Sequence, residues 1–274
     1  RLDGDPGLAF LADQAYAGGI DLRHRFAGNA WDFNAFLASS LVLGDTSAIQ
    51  RLQRSANRYF QRPDADHVEY DPRATSLSGL SGQFWLGRVA GKLRGGVGGT
   101  LRSPGFEVND AGFMNGADIR SFYGNLNFNQ FEPVGPFRSF NLGFNPSASW
   151  NFGGDRLHTQ TNLWGNMTFR NNWHVGAWGS RAFGGLSTGA LRGGPAIVQP
   201  GRWMFNGWGN SDPRKPVWVE AFGFFARCAQ RTRRWVAGRQ RRHPARPGSV
   251  RCACRRPRSP GSPRERRPAG IAQA

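Results

Sequence analysis

Five acid–base groups crowd one short segment of the chain: Asp64, Asp66, His67, Glu69 and Asp71. Closely spaced carboxylates suit a hard cation such as calcium, and Asp64, Asp66 and Glu69 are the candidate ligands. The segment lacks the central glycine and distal glutamate of an EF-hand loop. Arginines at 51, 54, 58, 62 and 73 surround it, so an acidic loop held by neighbouring arginines is the favoured reading. Gly87-Arg-Val-Ala-Gly-Lys-Leu93 has a phosphate-loop look, but it is one residue short. Leu93 also stands where a Ser or Thr would bind magnesium. The glycines after it (95, 96, 98 and 99) fall in a strand pattern, where close backbone approach accounts for them better. His24, His67, His158 and His174 lack the spacing of a zinc hydrolase, and no Gly-x-Ser-x-Gly elbow occurs. Nothing supports an enzyme, and no cofactor is expected.

Tryptophan is the other residue type with something to do. Nine of the ten lie before residue 226, at 31, 85, 150, 164, 173, 178, 203, 208 and 218. An indole is half apolar with a wet N–H, and it favours the headgroup zone of a bilayer; Trp31, Trp173, Trp203 and Trp218 sit near expected strand ends, as an interfacial girdle requires. The rival is a platform for sugar rings, and its best candidates are Trp203 and Trp208.

The elements that must position these groups read as strands. Period-two alternation with heavy Gly, Asn and aromatic content runs through Tyr16–Phe26, Trp31–Leu41, Thr75–Ala90, Leu93–Arg102 and Ile119–Gln130. It resumes in Phe137–Phe152, Leu157–Phe169, Trp173–Phe183, Arg202–Asn210 and Val217–Phe225. That is about ten strands, many near the ~9–11 residues needed to cross a bilayer at a tilt. No apolar run approaches the ~18 residues of a membrane helix, which leaves barrels open, since their strands are quiet on hydropathy.

The links between strands alternate in length. Ala27–Ala30, Gly91–Lys92, Phe131–Pro136, Arg170–Asn172 and Ser211–Pro216 are short. Leu43–Ala74, Ser103–Asp118, Gly153–Arg156 and Gly184–Gly201 take the other places and are mostly long, with Gly153–Arg156 the one weak member. A meander with turns on one side of a membrane and loops on the other has this rhythm, whereas a soluble sandwich has no reason for it. The expectation is an antiparallel up-and-down transmembrane β-barrel, partial over residues 1–225. Leu, Phe, Trp and Val would face outward and Gly, Asn, Ser, Arg and Asp inward. If the short links are periplasmic, Arg1–Gln14 ends an outer loop and at least one earlier strand is expected.

Several loop segments carry a family resemblance. They are Tyr59-Phe-Gln-Arg-Pro-Asp-Ala-Asp-His-Val-Glu-Tyr-Asp-Pro72 with Ser76-Leu-Ser-Gly79, Ser103-Pro-Gly-Phe-Glu-Val-Asn-Asp-Ala-Gly-Phe113, Trp150-Asn-Phe-Gly-Gly-Asp-Arg-Leu157 and Leu191-Arg-Gly-Gly-Pro195. Over about Arg1 to Phe225 the chain resembles an uncharacterised bacterial family of unknown function (DUF5916-like). The resemblance implies a C-terminal outer-membrane barrel, often following a module similar to family 9 carbohydrate-binding domains. It implies a cell-surface protein of a Gram-negative outer membrane, with outer-membrane lipid and polysaccharide as partners, and no reaction.

From Ala226 the language changes. Of 36 basic residues 15 lie beyond Phe225, with one of the 18 acidic residues and all three cysteines. The first 225 residues carry +4 and the remainder +14 of the formal +18. Cys252-Ala-Cys254 lacks the further ligands of a zinc site. Clustered arginines could neutralise phosphates, but Trp235 is the single aromatic available for stacking, so no nucleic-acid partner is expected. The expectation for 226–274 is a disordered basic tail, produced by a frame change near codon 226. A partial barrel with two open edges is expected to aggregate. The alternative for the whole is a soluble, tryptophan-rich all-β module that binds carbohydrate.

Overall fold

The computed structural model describes residues 7, 10–110 and 112–228, and the backbone course alone of 232–240. Eleven strands form one antiparallel sheet: β1 (Gln14–Phe26), β2 (Trp31–Leu43), β3 (Ser76–Arg88), β4 (Leu93–Arg102), β5 (Ile119–Gln130), β6 (Phe137–Trp150), β7 (Arg156–Phe169), β8 (His174–Ala182), β11 (Arg202–Asn210), β12 (Glu220–Cys228) and β13 (Thr232–Gln240). Each pairs with the next in chain order, which makes the sheet a meander. Two short strands, β9 (Gly185–Ser187) and β10 (Ile197–Gln199), form a hairpin inside the link from β8 to β11. One helix, α1 (Thr46–Gln53), lies inside the link from β2 to β3. The chain is thus all-β with almost no helix. Among the described residues no pairing joins β1 to β13, so the closure that a complete barrel needs is not seen there.

The strand pattern continues past Phe225. β12 runs on to Cys228, and the backbone of 232–240 pairs with it from Cys228↔Thr232 to Glu220↔Gln240. The arginine-dense segment that lacks clean alternation is therefore part of the sheet. Residues 241–274, most of the expected tail, lie outside the described residues.

In an antiparallel meander successive links fall at opposite ends. The links 44–75, 103–118, 151–155 and 183–201 therefore share one end, and 27–30, 89–92, 131–136, 170–173 and 211–219 share the other. The weak member of the expected rhythm, at Gly153, belongs to the loop end.

Registers sort the side chains onto two faces, because alternate residues point to opposite sides. One face reads Ile20, Leu22 | Ala35, Leu37 | Phe84, Leu86 | Val97 | Phe122, Leu126 | Leu142, Phe144 | Leu163 | Val175 | Phe205 across successive strands. It is apolar and it is the open side: Ile20 is 76% exposed, Leu163 63% and Val97 59%. A trough of about 1000 Å³ runs along it between Leu126, Leu142, Phe144, Leu163 and Phe205. The opposite face carries Asp32, Asn34, Gln83, Asn127, Asn145, Gln160, Asn162 and Asn206, and from β2 to β8 it is the more covered one. Along β3, for example, Leu77, Ser81 and Gly87 are buried while Leu80, Phe84 and Leu86 are exposed.

The conventional core sits at the loop end. Val42 and Leu77, partners across β2 and β3 on the polar side, close with Ile49 of α1 over Ala12, Leu52, Phe60 and Ala74. The loops fold across the polar face there, and a glycine permits it. A Cβ at Gly79 would stand 2.2 Å from the Phe106 amide nitrogen, so only glycine lets the 103–118 loop lie on β3.

Candidate functional site

The cap over the polar face is built from charges and backbone. Arg58, just after α1, reaches into the 103–118 loop. It donates to Glu107 Oε2 at 2.8 Å, to the Pro104 carbonyl at 3.1 Å and to the Phe106 carbonyl. Its side chain is fully covered and that of Glu107 nearly so. Burial pulls the guanidinium below its ordinary pKa, and Glu107 opposes that pull. Glu107 is set in place because its amide donates to Ser40 Oγ of β2 at 2.9 Å. Asp118 forms a second node, accepting from the Phe152 amide at 2.8 Å and meeting His67 Nε2 at 2.8 Å. Asn151 and Asp155 clasp each other in the 151–155 turn, and Arg120 donates to the Asn151 carbonyl at 2.8 Å.

These contacts engage most members of the candidate cation cluster. Asp64 Oδ2 accepts the Ala196 amide at 2.7 Å, tying the 44–75 link to the 183–201 link, and Arg62 lies 3.8 Å from its other oxygen. His67 goes to Asp118, and Asp71 caps the amide of Arg73 at 2.8 Å. Asp64, Asp66 and Glu69 are not brought together, and among the described residues no three His, Cys, Asp or Glu side chains could hold one metal ion. The arginine partnerships are fewer than expected: Arg62 takes Asp64, while Arg58 leaves for Glu107 and Arg51 lies over Phe10 at 4.9 Å.

The two candidate tryptophans are separated as well. Trp203 lies on the apolar face, stacked on Phe205 at 6.0 Å with the Arg181 guanidinium 4.7 Å away. Trp208, five positions on, lies on the polar face across Gly176, where an added Cβ would meet the indole at 2.2 Å. An odd separation along one strand puts two residues on opposite sides, a signal present in the sequence.

Parity divides the other tryptophans too. Trp31 at the turn end and Trp150 at the loop end join Trp203 on the apolar face, against Phe26 and Phe122. Trp85, Trp164 and Trp178 join Trp208 on the polar face. There each ring with a visible seat lies on glycine. Trp164 crosses Gly143 of β6, where a Cβ would stand 2.1 Å from the ring, and donates to Asn145 Oδ1 at 2.9 Å. Trp85 covers Gly96 and Gly98 of β4 and stacks on Tyr123 at 5.9 Å. The run first compared with a phosphate loop is thus a β3–β4 hairpin whose glycines seat aromatics.

Carboxamides surround these rings. One row across the strands reads Asn127, Gly143, Trp164, Trp178, Asn206; the next reads Asn129, Asn141, Asn166, Gly176, Trp208. A third holds Asn145, Asn162 and Ser180, extended by Gln160, which donates to Asn162 Oδ1 at 2.8 Å. The polar-face tryptophans other than Trp208 were not singled out in the sequence, although the same parity marks them.

The family model described as a domain of unknown function (DUF5916) matches residues 44–241. The match omits the first two strands and extends past Phe225 through β13. No curated protein and no solved structure matches the chain.

Proposed function

The chain belongs to the DUF5916 family of unknown function, and from that premise we propose that it forms wall strands of an outer-membrane β-barrel in a larger cell-surface protein. In this reading the apolar face meets acyl chains, the polar face lines the interior, and the cap folds inward over one mouth. One observation carries it: from β2 to β8 the apolar side of the sheet is the more exposed side, and the polar side is the more covered one. In water such a face would cost roughly 25 cal/mol per Å² of apolar surface left wet, whereas lipid removes that cost. The trough beside Leu126 and Leu163 offers acyl chains a dry channel, and Trp31, Trp150 and Trp203 stand on the apolar side near strand ends, where headgroups would lie. Glycan or another ligand would be taken up or held on the polar side.

Fractionation of cells expressing the chain tests this. The protein should enter the outer-membrane fraction, need detergent for extraction, and migrate differently on gels with and without heating. Recovery as a buffer-soluble monomer without detergent would overturn it. The soluble carbohydrate module is the other outcome of that experiment, and the sheet does not favour it, since among the described residues no second layer covers its apolar face.

A further inference from the structure

We infer that the polar face carries a binding lane for an uncharged oligosaccharide, with Trp164, Trp178 and Trp208 as its stacking surfaces and the Asn rows as its hydroxyl partners. The inference deepens the proposed function and rests on its reading of this face as the ligand side.

Three observations bear on ligand class. The first is ring placement. Trp164 and Trp208 lie across glycines of neighbouring strands, so one ring face is held against backbone and the other is turned to the polar side. An indole face is electron-rich and its partners prefer positively polarised edges; the axial C–H bonds of a pyranose present such an edge over a flat area of the same size. Trp178 stands beside Trp164 in register, and Trp208 lies in the adjoining row and strand. A ligand would therefore cross strands diagonally rather than touch one ring.

The second observation is the neighbouring chemistry. From β6 to β11 the three rows contain Asn, Gln, Gly, Ser, Trp and Met and no charged side chain. Carboxamides donate and accept together, which matches hydroxyls that do the same. A phosphate or carboxylate ligand would find no cation in this stretch, which argues against nucleotides and acidic sugars.

The third is spare bonding capacity. The carbonyl oxygens of Asn127 and Asn141, at the edge of the lane, make no hydrogen bond among the described residues. A buried amide oxygen without a donor is costly. Turning either side chain toward a ligand hydroxyl breaks no existing bond at that oxygen and supplies one.

The test uses the full chain folded in detergent micelles, titrated with neutral gluco-, manno- and xylo-hexaoses while tryptophan emission is followed. At least one hexaose should give a saturable change. Trp164→Ala and Trp208→Ala should each weaken binding by about tenfold or more, whereas Trp203→Ala, on the other face, should leave it within about twofold. Trp164→Phe and Trp208→Phe keep a ring on each glycine and should show intermediate losses, which covers the case of an alanine variant that fails to fold. Absence of saturable binding by any hexaose, or losses at Trp203 without losses at Trp164 and Trp208, would overturn the lane. Heat-modifiable, detergent-dependent protein that binds none of them would sink the lane and keep the membrane reading. Binding by protein that stays in plain buffer would sink the membrane reading and keep the lane.

Discussion

The cap and the sheet obey opposite rules about where grease belongs. Where the cap meets the sheet, Ile49 of α1 and Val42 of β2 have no exposure at all and the polar atoms close over them. In the sheet, Ile20 and Leu163 stand mostly open while Asn127, Asn145, Gln160 and Asn162 are half-buried. On the proposed membrane reading the same hydrophobic effect produces both, with water around the cap and hydrocarbon along the apolar face of the strands. The cap is joined to the sheet on its polar side, the side that water would wet in a barrel.

The contrast can be broken most forcefully at Arg58. Arg58→Ala leaves Glu107 buried without its cation, which typically costs about 3–5 kcal/mol. Limited proteolysis should then cut within the 59–73 segment while the strands stay protected. Simultaneous loss of strand protection would show that cap and sheet are one cooperative unit. A charge on the open face comes next. Leu163→Arg should cost about 2–4 kcal/mol in a lipid-folded state, read by urea-dependent unfolding from vesicles, and Asn166→Arg on the other face of the same strand should cost far less. Equal penalties would erase the distinction between faces.

Gly143→Ala sharpens the account of the polar face. The new methyl collides with the Trp164 ring, an overpacking that costs about 1–3 kcal/mol, visible as a shifted tryptophan near-UV circular dichroism band. Unchanged spectra and stability would show that the ring is not seated there. The smallest effect belongs to Asp212 in the 211–219 turn, whose oxygens accept from Arg214 at 2.8 and 3.0 Å and from Asn172 at 3.3 Å. The Arg214 side chain, then its backbone amide, holds this carboxyl well below its ordinary value of 3.8. A depressed folded pKa contributes stability that is present above the ordinary value and lost as pH falls through the lowered one. Carbon NMR should therefore find Asp212 still ionised at its ordinary value of 3.8, and ordinary titration would refute the clasp.

Much of the sheet was legible because alternation is a local signal. β4 and β5 occupy the residues that their patterns mark, and the alternating link lengths foretold which loops share an end. What escaped was non-local or atypical. β13 lacks clean alternation, so its arginines read as a tail, and only pairing with β12 reveals the strand. Helix α1 is short and sits in a charged loop, although Ala48, Ile49 and Leu52 carry a helical spacing. The acidic cluster was legible as residues but not as partners, since Glu107, Asp118 and Ala196 come from distant links. Trp203 and Trp208 were paired by proximity in sequence when parity already set them apart.

The central claim is that lipid covers one face of this sheet. Single nitroxide labels, placed in a cysteine-free background at positions 162 to 167 of β7 in vesicles, report oxygen and aqueous nickel access residue by residue. Access should alternate with period two, oxygen peaking at 163, 165 and 167 and nickel at 162, 164 and 166. Access to nickel at 163 and 165 as high as at the even positions would contradict it.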